Sequence, residues 1–258
     1  MLWVDQMGRE VRISSPPKRI ISLVPSQTEF LYDLGLTNEL IGVTRFCVHP
    51  EFLRKRVKVV GGTKQVKLDR IRALEPDLIV ANKEENTREM IDELADHYPV
   101  WVSDVTTVDG ALQMMRSLGD IFGRPQKAAE IIEAIESARD ELRQVVRHGT
   151  AQKVAYLIWN EPYMAAGSGT YIDAVLSECG LSNVIKATRY PEVSLYDIKA
   201  ADRVLLSSEP YPFKPHHLDA LKKEGCKSVE LVDGEWFSWY GSRMIHSFRS
   251  LVDWLRPD

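Results

Sequence analysis

Between Arg124 and His148 the chain contains no glycine and, after Pro125, no proline. Ile131, Ile135, Ala138, Leu142 and Val145 recur at steps of four, three, four and three, the spacing that lines one face of an α-helix. Pro125 suits a first helical turn, and Gly149 after the basic Arg143, Arg147 and His148 is a stop signal. At 1.5 Å per residue such a helix is roughly 35 Å long, about the span of a small domain. It lies mid-chain with α/β-like sequence on both sides, so it is either a surface element or a rod joining two lobes.

A chain of 258 residues accommodates one large α/β domain or two lobes of roughly 120 residues each. A net charge of −4 with both signs interspersed offers no basic stripe for nucleic acid. No run of about twenty apolar residues exists to span a membrane. The N-terminal stretch carries charges where a secretory signal needs an apolar core, which leaves cytoplasmic placement open beside an extracytoplasmic one. Cys47, Cys179 and Cys226 are odd in number and widely spaced, so they form no disulfide framework and no zinc ligand set.

Before the long helix the sequence alternates. A strand pair, Leu2–Val4 and Val11–Ile13, precedes a buried strand at Arg19–Val24. Ser26 is expected to cap the next helix, with Glu29 completing a capping box. Strands follow at Ile41–Thr44, Lys58–Val60, Asp77–Ala81 and Val100–Val102, and helices at Asp69–Leu74, Thr87–His97 and Val108–Phe122. After the long helix, strands at Lys153–Trp159, Asp202–Ser207 and Ser228–Val232 alternate with helices at Tyr171–Cys179, His216–Glu224 and Met244–Leu255. The pattern predicts an α/β fold: two α/β lobes with mainly parallel sheets joined by a single backbone helix. The boundaries are 1–123 for the N-terminal lobe, 124–149 for the helix and 150–258 for the C-terminal lobe. A cleft is expected where the strand ends of the lobes face each other.

In open α/β sheets ligands bind outside the carboxyl ends of the strands. The segments there are Pro25–Thr28, Arg45-Phe46, Gly62–Lys64, Asn82-Lys83, Trp159–Tyr163, Arg189–Pro191 and Gly234–Arg243. They hold three of the six tryptophans, and aromatic rings on loops supply stiff contact area for a flat or bulky ligand. Within 236–243, Trp236 and Phe237 suit the core, and Trp239 and Tyr240 beside Gly241 suit a site. Arg243 is either a fork for a carboxylate or phosphate or a partner of a nearby acid. Enzyme signatures are weak. Gly167–Thr170 lacks the lysine of a P-loop and reads as a helix cap, and Cys47 and His49 have no further ligands at metal spacing. His216 and His217 lie in a proline-rich loop, Glu84-Glu85 suits a helix start, and no nucleophile elbow or acid pair stands out. The residues describe a binding protein, not an enzyme, with no resident cofactor and no metal site.

The stretches Arg19–Glu29, Val60–Thr63 with Leu68–Ile71, Leu74–Ala81, Tyr190–Ser194 and Trp236-Phe237 resemble the class III, helical-backbone substrate-binding proteins of ABC importers for cobalamin and iron-siderophores. That resemblance implies a ligand in a cleft between two α/β lobes and small lobe rotation, since an unbroken helix bends little. By position it implies Phe46, Thr63, Asn82, Tyr190 and Trp239 as cleft residues. Lys64, Lys83, Trp159, Tyr163, Trp236, Tyr240 and Arg243 join them as candidates for ligand binding. Thr63 and Asn82 stand where cobalamin binders carry aromatic residues. The family resemblance and the aromatic loops nevertheless make cobalamin or another corrinoid the first ligand expected, with an iron-siderophore or haem as alternatives. The family docks on its permease through one acid per lobe. Asp69 holds that position in the first lobe, and in the second Tyr196 holds it with Asp197 beside it. The implied partners are a small metal chelate and an ABC permease dimer, with the chain itself monomeric and extracytoplasmic. An intracellular corrinoid sensor or salvage protein is the alternative.

Overall fold

A computed structural model describes residues 1–13, 16–146 and 152–256. The chain divides into two compact units. One comprises Met1–Val105, Asp109–Ala134 and Tyr240–Arg243; the other comprises Thr106–Val108, Ile135–Trp239 and Met244–Asp258.

The first unit opens with an antiparallel pair, β1 (Leu2–Val4) and β2 (Glu10–Arg12). Then come β3 (Ile20–Ser22), α1 (Pro25–Asp33), β4 (Leu40–Thr44), α2 (Leu53–Arg56), β5 (Lys58–Gly61) and α3 (Leu68–Leu74). β6 (Leu78–Asn82), α4 (Arg88–Ala95), β7 (Val100–Ser103) and α5 (Val108–Ile121) complete its alternation. Its five-stranded sheet has the order β5-β4-β3-β6-β7 and is parallel throughout. The chain winds outward from β3 to one edge, returns to β6 and winds to the other. The strand order therefore reverses between β3 and β6, where doubly wound folds place their ligands. Every residue of β3, β6 and β7 is buried, as expected of parallel strands covered on both faces. Ile21, Val60, Ile79, Val100 and Val102 pack with Ile71 of α3 and Met90, Ile91 and Leu94 of α4 in one apolar cluster.

The long helix, α6, runs Pro125–Val146. Its stripe residues Ile131, Ile135, Ala138 and Leu142 are buried. Arg147, His148 and the Gly149 stop lie outside the described residues.

The second unit contains β8 (Lys153–Trp159), β9 (Met164–Ala165), α7 (Tyr171–Glu178), β10 (Ser182–Asn183) and α8 (Leu195–Lys199). They are followed by β11 (Arg203–Ser207), α9 (Pro215–Lys223), β12 (Val229–Val232), α10 (Glu235–Ser238) and α11 (Met244–Leu255). Parallel strands run in the order β10-β8-β11-β12, with β9 antiparallel on β8. Here the order reverses between β8 and β11. Ala155, Leu157, Val204, Leu206 and Val229 share a core with Ile198 of α8 and Leu221 of α9.

Several local expectations are corrected. The N-cap of α1 is Val24, with Pro25 in the first turn, and Ser26 is buried without a cap bond; proline at N1 fixes the start two residues early. Glu84 and Glu85 sit in a turn made by Asn82, whose Oδ1 accepts from both their backbone N–H groups at 2.8 and 3.1 Å. The next helix begins only after the Thr87 cap. His216 and His217 belong to the first turn of α9. The segment after β12 is not a loop but α10 followed by a 3-10 turn at Gly241–Arg243. Gly167–Thr170 does serve as a cap: Thr170 Oγ1 accepts from Asp173 N at 3.1 Å.

Candidate functional site

The loops at the carboxyl ends of the first unit's strands are laced together. A Cβ at Gly62 would lie 3.3 Å from Phe46 Cε2 and from an Arg45 guanidinium nitrogen, so the loop after β5 closes onto the loop after β4 because position 62 is glycine. Asn86 Nδ2 donates to Thr63 O at 2.8 Å and Lys64 Nζ donates to Glu84 O, joining the loops after β5 and β6. Phe46, Thr63, Lys64, Asn82 and Lys83 are thus brought into one loop cluster. Phe46 leaves 47% of its surface exposed under the Arg45 guanidinium, 5.0 Å from the ring centroid. Asn82 is buried, and its amide is used internally: Nδ2 donates to Ser103 Oγ at 2.9 Å while Oδ1 builds the turn. Lys83 pairs with Asp104 at 2.6 Å.

Behind this cluster lies a polar layer. Gln27 Nε2 reaches Ala81 O at 3.3 Å and Ser103 Oγ. Thr28 Oγ1 donates to Ser22 Oγ and Val24 O, both at 2.8 Å. Cys47 Sγ lies 3.1 Å from Thr28 Oγ1 and 3.3 Å from Thr44 Oγ1, and burial pushes its thiol pKa up. A buried thiol with a raised pKa is a poor nucleophile and a poor metal ligand.

The 3-10 turn is held by α1. Arg243 Nε and Nη2 donate to the Glu29 carboxylate at 2.8 and 2.7 Å, Ser242 Oγ donates to Asp33, and Gly241 adopts φ +84°, where a Cβ would stand 3.0 Å from Ser26 O. Of the two roles open to Arg243, the structure shows the partner of an acid, Glu29; Glu29 closes no capping box because α1 is capped at Val24, five residues before it. Burial raises the Asp33 pKa, with the Ser242 hydrogen bond opposing it.

In the second unit, Trp159 ends β8 with 42% exposure and meets Tyr211 edge to face at 5.5 Å. Tyr211 in turn packs on Phe213 and His217. Lys214 N donates to His217 Nδ1 at 3.0 Å, so in neutral His217 the proton sits on Nε2, which faces Tyr211 Oη at 3.0 Å. Tyr163 and Tyr190 are half-buried, and their segments pair: Val193 N donates to Tyr163 O at 2.9 Å and Ala165 N to Pro191 O at 3.1 Å. Trp236 is half-buried and Phe237 fully buried against Tyr156 and Trp254. Trp239 and Tyr240 retain only 7% exposure each, so burial does not divide the four residues as a core pair and a site pair.

The organising residue here is Glu209, which the sequence reading missed together with Tyr211 and His217. Glu209 Oε1 accepts from Ser238 Oγ at 2.6 Å and from Trp239 Nε1 at 2.8 Å. Its carbonyl accepts from Ser207 Oγ at 2.6 Å, and Ser207 Oγ accepts from buried Tyr156 Oη at 3.0 Å. A Cβ at Gly234 would stand 2.5 Å from both Glu209 Cγ and Ser207 Oγ, so the path needs glycine there. The signal was available: Ser207–Phe213 follows a strand at the same carboxyl edge as the loops that were named.

Burial pushes the Glu209 pKa above the ordinary value of 4.5, against the Ser238 and Trp239 hydrogen bonds. A folded pKa above the unfolded one favours folding below the unfolded value, and that contribution is lost as pH rises through the folded value. Glu209→Gln is therefore expected to be more stable than the parent at mildly alkaline pH, with the difference vanishing near pH 4.5. Thermal melts of both chains across that range measure it; a difference independent of pH would refute the assignment.

Asp69 is in the first turn of α3, 98% exposed, with Arg72 at 3.5 Å. Asp197 is exposed at the third position of α8, in a capping box with Ser194; the Ser194 hydroxyl and backbone N–H hold its pKa below the ordinary carboxylate value. Tyr196 is the most exposed large hydrophobic side chain of the described residues. No three His, Cys, Asp or Glu side chains cluster for a metal ion among the described residues, and no described helix is long and apolar enough to cross a membrane.

Two doubly wound α/β units with rings at their strand ends define a binding architecture. The family model described as periplasmic binding protein matches residues 20–208, and the chain belongs to that family, in its class III, helical-backbone type. The vitamin B12-binding protein of Vibrio campbellii is 27% identical over 250 residues, spanning 93% of this chain and 90% of its own. The periplasmic vitamin B12 binding protein of Vibrio cholerae superposes with a TM-score of 0.79 at 20% identity, covering 93% of this chain and 97% of its own. The periplasmic heme-binding protein of Roseiflexus sp. RS-1 gives 0.79 at 19%, covering 92% and 97%.

Proposed function

We propose that this chain captures a planar metal chelate, a corrinoid before others, and presents it to an ABC importer outside the cytoplasmic membrane. The carrying observation is the pairing of exposed rings with occupied charges. Phe46 and Trp159 keep 47% and 42% of their surface exposed at strand ends, while Arg243 is paired with Glu29 and Lys83 with Asp104. Exposed rings at strand ends offer stacking area for a flat ligand, and with Arg243 and Lys83 paired to acids, fewer cations remain for a polyanionic siderophore. The B12-binding relative supports the corrinoid; the haem-binding neighbour shares only the fold, and haem or a ferric siderophore is the second reading.

Binding, not catalysis, is the activity inferred, with the chain acting as a monomer without a resident cofactor. Asp69 and Asp197 are the acids proposed to meet the permease. An intracellular corrinoid-salvage role would use the same loops without Asp69 or Asp197.

A panel of cobalamin, cobinamide, haem and ferric siderophores, read by thermal melt and visible absorbance, tests the ligand. A ligand at a hundred times its dissociation constant stabilises by about 2.7 kcal/mol. Cobalamin or cobinamide is expected to raise the melting temperature and haem to do so less. No shift with any member would overturn the reading.

A further inference from the structure

The charges are not interspersed throughout. Residues 45–72 contain nine lysines and arginines against two acids, a local charge of +7 in a chain whose total is −4. The fold gathers them at one edge of the first unit. β5 is an edge strand, α2 leads into it, and α3 packs over it, with Arg70 donating to Val59 O at 2.7 Å. All nine cations are exposed, and among the described residues only Arg72 meets a carboxylate, that of Asp69. In their midst Phe52 keeps 40% of its surface exposed, its ring on Tyr32 at 5.6 Å and beneath the Arg56 guanidinium at 5.8 Å.

Protection of an open sheet edge accounts for Lys58 and Arg70. It does not account for Lys55, Arg56 and Lys64, which stand on α2 and in the loop after β5, whereas Lys67 belongs to the edge, its N–H donating to Val60 O at 2.7 Å. Four to eight clustered cations are the pattern that anionic lipid headgroups attract, and an exposed ring among them adds an insertable apolar group. We propose that this face docks on the surface of an anionic phospholipid membrane. A lipid surface asks for charge density and no shaped groove, which matches an exposed array of long side chains around one ring.

The test uses the full chain and sedimentation with vesicles of equal parts phosphatidylglycerol and phosphatidylcholine, compared with phosphatidylcholine alone. Binding is expected only to the anionic vesicles, weakening steeply as salt screens the contacts. Lys55→Glu/Lys58→Glu/Lys67→Glu, which changes three side chains with no hydrogen-bond or ion-pair partner among the described residues, should weaken it about hundredfold. Its melting temperature should match the parent. Lys222→Glu/Lys223→Glu/Arg249→Glu, an equal charge change in the second unit, should leave vesicle binding in place. Failure to bind anionic vesicles at low salt would overturn the proposal, as would equal binding to neutral vesicles or an equal loss in the control variant. Retention on an immobilised acidic protein without vesicle binding would also overturn it, in favour of a protein partner.

Discussion

Glu178→Ala is expected to cost about 3 to 5 kcal/mol of folding stability, the range for removing one partner of a buried ion pair. Glu178 closes α7 and receives two arginines of α6: Arg139 Nη2, and Arg143 through Nε at 3.1 Å. Arg139 and Glu178 side chains retain only 11% and 14% exposure, so alanine would leave Arg139 buried beside an empty space. Burial pushes the Glu178 pKa up, but the two guanidiniums outweigh it and hold the value below 4.5. A depressed folded pKa contributes stability above the unfolded value, and that contribution is lost as pH falls through the folded one. The gap between parent and Glu178→Ala in urea unfolding should thus be full at neutral pH and shrink below pH 4.5. The double variant Arg139→Met/Glu178→Leu should recover most of the loss, because two apolar groups leave no buried charge stranded and Arg143, 47% exposed, stays in contact with water. A single-variant cost under about 1 kcal/mol, the level of an exposed pair, would show that the triad does not anchor α6 to α7.

Gly167→Ala is expected to cost about 3 kcal/mol, near the upper end for overpacking a close-packed site. Its Cβ would stand 2.0 Å from Ala187 O and 3.2 Å from Arg189 O, and both obstacles are backbone that cannot swing aside. The approach is close because Gly167 N donates to Arg189 O at 2.8 Å and Ser168 N to Ala187 O at 3.0 Å. The segment that must give way leads into Tyr190, a residue proposed from the family resemblance to contact the ligand, and on that proposal the variant should lose ligand affinity as well as stability. Gly169→Ala is the control. It faces open space at φ +72° and should cost only the left-handed backbone penalty of about 1 kcal/mol. Urea unfolding of the two variants measures the contrast, and equal costs would show that segment 187–189 moves freely.

The alternation of strands and helices was legible because buried parallel strands read as apolar runs and covering helices as stripes; Lys153–Trp159 and Met244–Leu255 have the bounds their sequences predict. Short elements were not. α2, α8 and α10 span four, five and four residues, too few for periodicity to show. The aromatic candidates were identifiable from position, since Phe46 and Trp159 follow strands. The fate of the charged candidates was not. Nothing near Arg243 in sequence announces Glu29, 214 positions away, and nothing near Trp239 announces Glu209.

By itself, then, the sequence determined the two α/β units, the long helix and the loops that carry the rings, because periodicity and strand-end position are local properties. Tertiary structure alone decided which polar groups remain for a ligand. It engaged Arg243 with Glu29, built a turn from Asn82 and fixed Trp239 through Glu209. The physical reason is that a buried charge or amide takes whichever partner the fold brings within about 3 Å, and that partner is set by packing, not by neighbours along the chain. For the long helix the division is the same. Its stripe is written in Ile131, Ile135, Ala138 and Leu142, while its strongest polar anchor, Glu178, lies on another helix.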